Sequence, residues 1–308
     1  MTVLVTGGAG FIGSHLTERL LADGKDVVVL DTLRRGDNSI RHLASREGFV
    51  LEVGDIRDDA VLLRVAERGP FDVIYHLAAL HYIPECMAHP VETLSVNVVG
   101  TQALVTGLAC RRFVLVSTGD VYAQRDQGCE EVDPVEPFNV YGLSKFFCER
   151  LLENEAQRGK VTTWVAARLF NVYGPRETAP HVIPHILGEV RRGNGVRLGS
   201  LWPRRDYTYV ADTVDALVAL GEVPLSGPFH VFNVGTGVAA SVGEIVELLS
   251  ELLGTHLRAE VTPERIRPVE RPHLQANISK IRKVAGWQPQ YSLRDGLKAL
   301  CTAEGHLR

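Results

Sequence analysis

Thr2-Val3-Leu4-Val5-Thr6-Gly7-Gly8-Ala9-Gly10-Phe11-Ile12-Gly13 decides the fold. It reads as a short β-branched strand, a turn of glycines and the opening of a helix. Both Gly8-x-Gly10-x-x-Gly13 and Gly7-x-x-Gly10-x-x-Gly13 are present. Glycines there permit a tight turn and let the backbone approach a diphosphate, whose charge sits at the helix N-terminus together with Phe11 and Ile12. Asp31 ends the next apolar run, Val27-Val28-Val29-Leu30, 18 residues past Gly13. A carboxylate at that distance can accept hydrogen bonds from a ribose 2′-hydroxyl and would repel a 2′-phosphate, which favours NAD over NADP. Arg34 and Arg35 work against that preference, because an arginine nearby can accommodate the phosphate.

Further apolar runs follow at Phe49-Val50-Leu51, Val73-Ile74-Tyr75, Phe113-Val114-Leu115-Val116 and Val161 to Leu169, with amphipathic stretches between them. Near-continuous apolar strands alternating with helices imply a parallel sheet covered on both faces. The expected class is therefore α/β, a Rossmann-type doubly wound sheet with ligands beyond the C-terminal strand ends. After Val172 the texture changes. Helix-like stretches lie near 183–192, 210–220, 241–253, 279–285 and 293–300, with short strand candidates at 231–234 and 258–261. This predicts residues 1–172 as a dinucleotide-binding domain carrying the catalytic residues, and 173–308 mainly as a smaller mixed α/β substrate region, with segments able to cross between them.

The formal charge of −4 on 308 residues argues against a nucleic-acid-coating protein. No apolar run reaches the ~20 residues that span a bilayer. The N-terminus lacks the basic region of a signal peptide. Cys86, Cys110, Cys129, Cys148 and Cys301 are scattered and form no CxxC pair, so neither a disulfide framework nor a zinc site is expected, and a reducing cytoplasm fits. His181 and His185 stand four apart, but Pro184 lies between them and no carboxylate joins them. No metal is expected.

Tyr141-Gly142-Leu143-Ser144-Lys145 leads into the helix-like run 146–155. Residues four apart on a helix share a face, so the phenol and the ammonium converge. A lysine beside a phenol favours the phenolate and lowers its pKa, making a general base for a sugar hydroxyl. Ser117-Thr118 ends the fifth apolar run at the same sheet edge as the glycine turn. The Thr118 hydroxyl is either a third member of the site or a strand-end cap.

These segments, with Asp55-Ile56-Arg57-Asp58, His76-Leu77-Ala78-Ala79 and Asn171-Val172-Tyr173-Gly174-Pro175, occur in the order of the extended short-chain dehydrogenases. The chain resembles that family's nucleotide-sugar epimerases and dehydratases over nearly its whole length. The resemblance implies that Asp55 and Ile56 hold the adenine, and that Leu77, Ala78, Ala79 and Asn97 line the dinucleotide. It also implies that Tyr141 and Lys145 touch the nicotinamide ribose. Asn171 would face the substrate, a UDP- or dTDP-linked sugar. Arg205-Asp206-Tyr207 looks like the segment whose arginine grips the diphosphate, a bidentate task suited to guanidinium. Arg267-Pro268-Val269-Glu270 resembles the segment that holds phosphate and nucleoside ribose, with Glu270 where aspartate is more usual.

Three chemistries share this scaffold: 4-epimerisation, 4,6-dehydration and reduction of a 4-keto sugar. Dehydratases commonly carry an acidic pair after the threonine. Here the segment is Thr118-Gly119-Asp120, so one position has no side chain, and 4-epimerisation is favoured. Asp120 keeps dehydration open, while Asp31 suits the NADPH-linked reductase less well. A catalytically silent NAD- or sugar-nucleotide-binding regulator on the same fold is the alternative of another class. Phe146, Phe147, Leu151 and Leu152 offer apolar surface on the Tyr141 helix, and a homodimer through it is expected.

Overall fold

The computed structural model describes residues 1–159, 161–193, 195–266 and 270–307. The chain begins β1 (Thr2–Thr6), α1 (Phe11–Ala22), β2 (Asp26–Asp31), β3 (Phe49–Val53), α2 (Asp59–Ala66) and β4 (Phe71–His76). Two short helices, α3 (Ile83–Ala88) and α4 (Pro90–Leu94), lead through a π-helical turn (Ser95–Val99) into α5 (Gly100–Gly107). Then come β5 (Cys110–Thr118), α6 (Val140–Ala156), β6 (Thr163–Leu169), β7 (Asn171–Tyr173), α7 (Val182–Arg191), β8 (Val196–Leu198), β9 (Arg204–Tyr209) and α8 (Val210–Glu222). The remainder is β10 (Phe229–Val234), β11 (Ala239–Ser241), α9 (Val242–Leu253), β12 (Ala259–Val261), β13 (His273–Leu274), α10 (Ser279–Ala285) and α11 (Leu293–Ala303).

Seven parallel strands form the main sheet in the order β10-β6-β5-β4-β1-β2-β3. Their pleat sends alternate residues into two cores: Val3, Val5, Val27 and Val29 to one face, Leu4, Val28 and Leu30 to the other. A strand buried on both faces leaves little place for polar side chains away from its ends, and hence the near-continuous apolar runs. The order reverses between β1 and β4, leaving a crevice at their C-terminal ends where ligands of doubly wound sheets bind.

β10, in the half of the chain read as mainly the smaller region, is a segment that crosses over. It lies at the edge of the main sheet, parallel to β6 from Phe229↔Trp164 to Val234↔Leu169. An apolar run states that it will be buried, not which sheet will bury it. The run at 161–169 begins its strand two residues late, at Thr163. A four-stranded sheet in which β9 pairs β7, β11 and β13 stands beside the main one, and β8 pairs β12. Among the described residues no helix is long and apolar enough to cross a membrane.

Candidate active site

A cleft of about 1080 Å³ runs from the glycine turn across the C-terminal strand ends to β9, residues 264–266 and residues 270–271. On its dinucleotide side the walls are largely backbone. Gly7 has φ +72°, and a Cβ there would lie 2.7 Å from the Ala78 amide nitrogen, because the turns after β1 and β4 abut at the switch point. A Cβ on Gly13 would overlap the Gly7 carbonyl. Gly10 opens α1 without a side-chain cap, so the first helical N–H groups have no side-chain acceptor. Phe11 and Ile12 border the same turn.

Asp31 is oriented by the Ala9 N–H (3.0 Å) and Leu33 N–H (2.8 Å). Burial raises its pKa and these two bonds oppose the rise. Arg34 and Arg35, the complication for cofactor choice, both turn to Glu85 of α3, at 2.6 and 3.6 Å. Asp55 and Ile56 line the cleft. Asp55 accepts from Arg57 through its N–H (2.9 Å), Nε (3.0 Å) and Nη2 (2.7 Å), and this guanidinium holds its carboxyl below the usual range. Leu77, Ala78 and Ala79 complete that wall.

Asn97 stands behind this wall. Its side chain is 1% exposed and hydrogen-bonded within the protein. Oδ1 accepts the Leu80 N–H (2.8 Å), while Nδ2 donates to the Leu80 carbonyl (2.9 Å) and to Ser144 Oγ (2.9 Å). It ties the 77–80 wall to α6 from behind.

The catalytic candidates meet where α6 abuts the turn after β5. Asn139 caps α6 by accepting the Gly142 N–H (2.7 Å), satisfying an otherwise orphaned donor. Gly142 packs so closely that a Cβ would stand 2.7 Å from the Asp120 carbonyl oxygen. Glu149, two turns past Tyr141 on the helix, accepts from Ser117 Oγ (2.5 Å) and makes a two-bond ion pair with Arg168 of β6 (2.9 and 2.7 Å). The helix is thereby keyed to β5 and β6. Thr118, Asp120, Tyr141 and Lys145 all line the cleft.

The direction of the Tyr141 shift reverses the sequence expectation. Burial raises its pKa first and the Asp120 carboxylate adds to this, while the Thr118 hydroxyl opposes both. Lys145 is itself 2% exposed, and burial lowers its pKa. Among the described residues no group hydrogen-bonds its ammonium. A buried, unpartnered cation facing a cleft demands polar atoms from a ligand, and ribose hydroxyls satisfy that demand. With Gly7, Gly13, the uncapped α1 and Asp31, the residues present fit a dinucleotide.

The opposite side of the cleft is made of side chains. In β9 the pleat sends Arg205 and Tyr207 toward the cleft. Asp206 goes the other way, where it accepts from Thr236 N–H (2.8 Å), Gly237 N–H (2.9 Å) and Ala276 N–H (3.1 Å). Arg205 Nη2 pairs with Glu270 (3.1 Å), and Nη1 donates to the Arg271 carbonyl (2.8 Å). Asn171 is exposed within the cleft. Arg267 lies outside the described residues.

Sequence reasoning missed His81, Tyr82, Glu177, His181 and Arg271, all cleft-lining. His181 Nδ1 pairs with Glu177, and its ring packs against His81 and Tyr82. Arg271 had one available signal, its place directly after Glu270.

The family model described as GDP-mannose 4,6 dehydratase matches residues 4–300. The chain is 31% identical to the UDP-glucose 4-epimerase of Halalkalibacterium halodurans, over 94% of this chain and 91% of the relative. It is 33% identical to UDP-glucuronic acid decarboxylase 1 of Arabidopsis thaliana, over 96% of this chain and 68% of the relative. The fold superposes on the UDP-glucuronic acid 4-epimerase of Bacillus cereus, solved with UDP-glucuronic acid and NAD, with a TM-score of 0.92, 27% identity and full coverage of both chains.

Proposed function

The chain belongs to the GDP-mannose 4,6-dehydratase family of extended short-chain dehydrogenases, and on that premise we propose that it is an NAD-dependent 4-epimerase of a UDP-linked sugar. The observation that carries this reading over dehydration is Gly119. A dehydratase needs a proton donor beside its threonine. Here a Cβ at that position would already lie 3.1 Å from the Phe170 ring, so the turn is packed for the absence of a side chain.

In this reading Tyr141 accepts the proton of the sugar 4-hydroxyl while Thr118 hydrogen-bonds the same oxygen. Bound NAD would supply the hydride acceptor and donor for C4. Gly7, Gly10, Phe11, Ile12 and Gly13 cradle its diphosphate, Asp31 takes the adenosine ribose hydroxyls, and Asp55 and Ile56 flank the adenine. Leu77, Ala78 and Ala79 close the opposite wall. The Lys145 ammonium donates to the nicotinamide ribose. Its charge, close to the substrate oxygen, favours the anion that forms as the proton leaves. Arg205 grips the sugar-nucleotide diphosphate, with Glu270 orienting it and Asn171 facing the sugar. Rotation of the 4-keto sugar before hydride return inverts C4. Tyr141, Lys145 and Thr118 gathered on one cleft speak against a catalytically silent regulator.

Two coarser features complete the proposal. Val91 (80% exposed), Val99 (58%) and Phe147 (44%) on α4, the π-helical turn and α6 support a homodimer through the α6 face. Five free cysteines support a reducing cytoplasm.

The test is incubation with NAD and UDP-glucose or UDP-glucuronic acid in deuterated water, with products read by NMR. The 4-epimer should form without deuterium at C5. Deuterium at C5 with loss of the C6 oxygen would establish dehydration instead, and a pentose product would establish decarboxylation.

A further inference from the structure

Arg271 is 3% exposed, and among the described residues no carboxylate forms an ion pair with it. Arg168, equally buried, shows the ordinary solution, a two-bond pair with Glu149. Arg271 instead donates from Nη1 to the Gly119 carbonyl (3.3 Å) and from Nη2 to the Tyr122 carbonyl (2.5 Å). Its guanidinium carbon lies 4.5 Å from the centre of the Phe138 ring, and Nε is buried without a partner. Holding a cation out of water on two carbonyls and a ring is costly, and such an arrangement is not a default of packing.

The two carbonyls it holds bracket Asp120. On the far side of that turn Gly142 meets the Asp120 carbonyl with no room for a Cβ. The Thr118–Tyr122 turn is therefore clamped between Arg271, delivered by the C-terminal region, and the first turn of α6. The electrostatics follow the same line. The charged and titratable groups acting on Arg271 are Asp120, Cys129 and Arg205. Those acting on Tyr141 are Asp120, Cys86 of α3 and Cys148 of α6. Lys145 stands one turn away on α6. Asp120 is the one carboxylate among the described residues that acts on both Arg271 and Tyr141.

We propose that Arg271 is a positioning residue for the proton transfer: it clamps the Thr118–Tyr122 turn and so fixes where Thr118 and Asp120 stand relative to Tyr141. This rests on the reading of Tyr141 as the base. Arg271 touches neither cofactor nor reacting atoms in this role. It acts through the positions of Thr118 and Asp120.

The experiment uses Arg271→Met, Arg271→Lys and Arg271→Met/Asp120→Asn. Three quantities are followed: NAD affinity, the pH profile of kcat, and titration of Tyr141 by the ring Cζ NMR signal, assigned with Tyr141→Phe. The last needs no turnover. In Arg271→Met, kcat should fall by about 10- to 100-fold, the scale of a displaced catalytic group, with KM and NAD affinity nearly unchanged. The rising limb of the profile and the Tyr141 titration should both move to higher pH. Arg271→Lys should recover part of both, and removing the Asp120 charge in the methionine background should move the titration back. An unmoved titration in a folded, NAD-binding Arg271→Met protein overturns the proposal. So does a shift that persists in full without the Asp120 charge. If Arg271→Met does not fold, Arg271→Lys decides by the same titration, with a smaller shift expected and none overturning the proposal. A shifted titration without 4-epimer from any UDP-sugar leaves the clamp standing and removes the epimerase reading alone.

Discussion

On the dinucleotide side of the cleft the binding surface is backbone, contributed by one strand–turn–helix and the turn after β4. Gly7 and Gly13 are there because a Cβ would collide with Ala78 and with the Gly7 carbonyl. Across the cleft the surface is side chains brought from distant segments. Arg205 comes from β9, Glu270 from the segment before β13, and His181 from the residue before α7. A backbone site tolerates few substitutions, because the atoms that bind are also the atoms that fold. A side-chain site can change ligand while the frame stays. The relatives carry the same lesson, since a UDP-glucose 4-epimerase and a UDP-glucuronic acid decarboxylase match this chain at comparable identity.

The most severe way to break the comparison is Gly13→Val. Its side chain overlaps the Gly7 carbonyl, and the turn cannot close around a diphosphate. NAD binding, followed by fluorescence titration, should be lost altogether, with stability reduced by about 1–3 kcal/mol as for other overpacked sites. Wild-type affinity would show that the turn is not the diphosphate site.

Tyr141→Phe should separate chemistry from binding. Turnover should drop by about 10²–10⁴-fold, the usual range for a positioned acid–base group, while NAD affinity is kept. The pH dependence has a definite sign. Burial and Asp120 raise the phenol above its ordinary value, so the phenolate fraction grows as pH rises. The kcat of the wild type should therefore climb from neutral into alkaline solution, and a flat profile would exclude a tyrosine base with this pKa.

The smallest effect sharpens the cofactor side. Asp31→Asn keeps the shape but removes the charge that a 2′-phosphate would meet. The preference for NAD over NADP, measured as a ratio of dissociation constants, should narrow by about 10- to 100-fold, the equivalent of about 1.5–3 kcal/mol for hydrogen bonds to a charged group. An unchanged ratio would move the discrimination to Glu85, which holds Arg34 and Arg35.

Much of this was legible in the sequence wherever the physical demand is local. The glycine turn, Asp31 and the Tyr141–Lys145 pair are each set by spacing within one supersecondary unit. Alternating burial wrote the parallel strands as apolar runs. Residues such as Asn97 show the limit. The resemblance implied a place beside the dinucleotide, but its amide also bonds Leu80 and Ser144, partners named only once α6 is docked.

The sequence by itself determined the α/β class, the glycine turn and the shared helix face of Tyr141 and Lys145, because steric room at a glycine and the pitch of a helix are properties of contiguous residues. Tertiary structure alone decided that β10 joins the main sheet, that Arg271 reaches under the Thr118–Tyr122 turn, and that the Tyr141 phenol is pushed up rather than down. Burial and electrostatic fields are sums over neighbours far apart in the chain, and no window of sequence contains those sums.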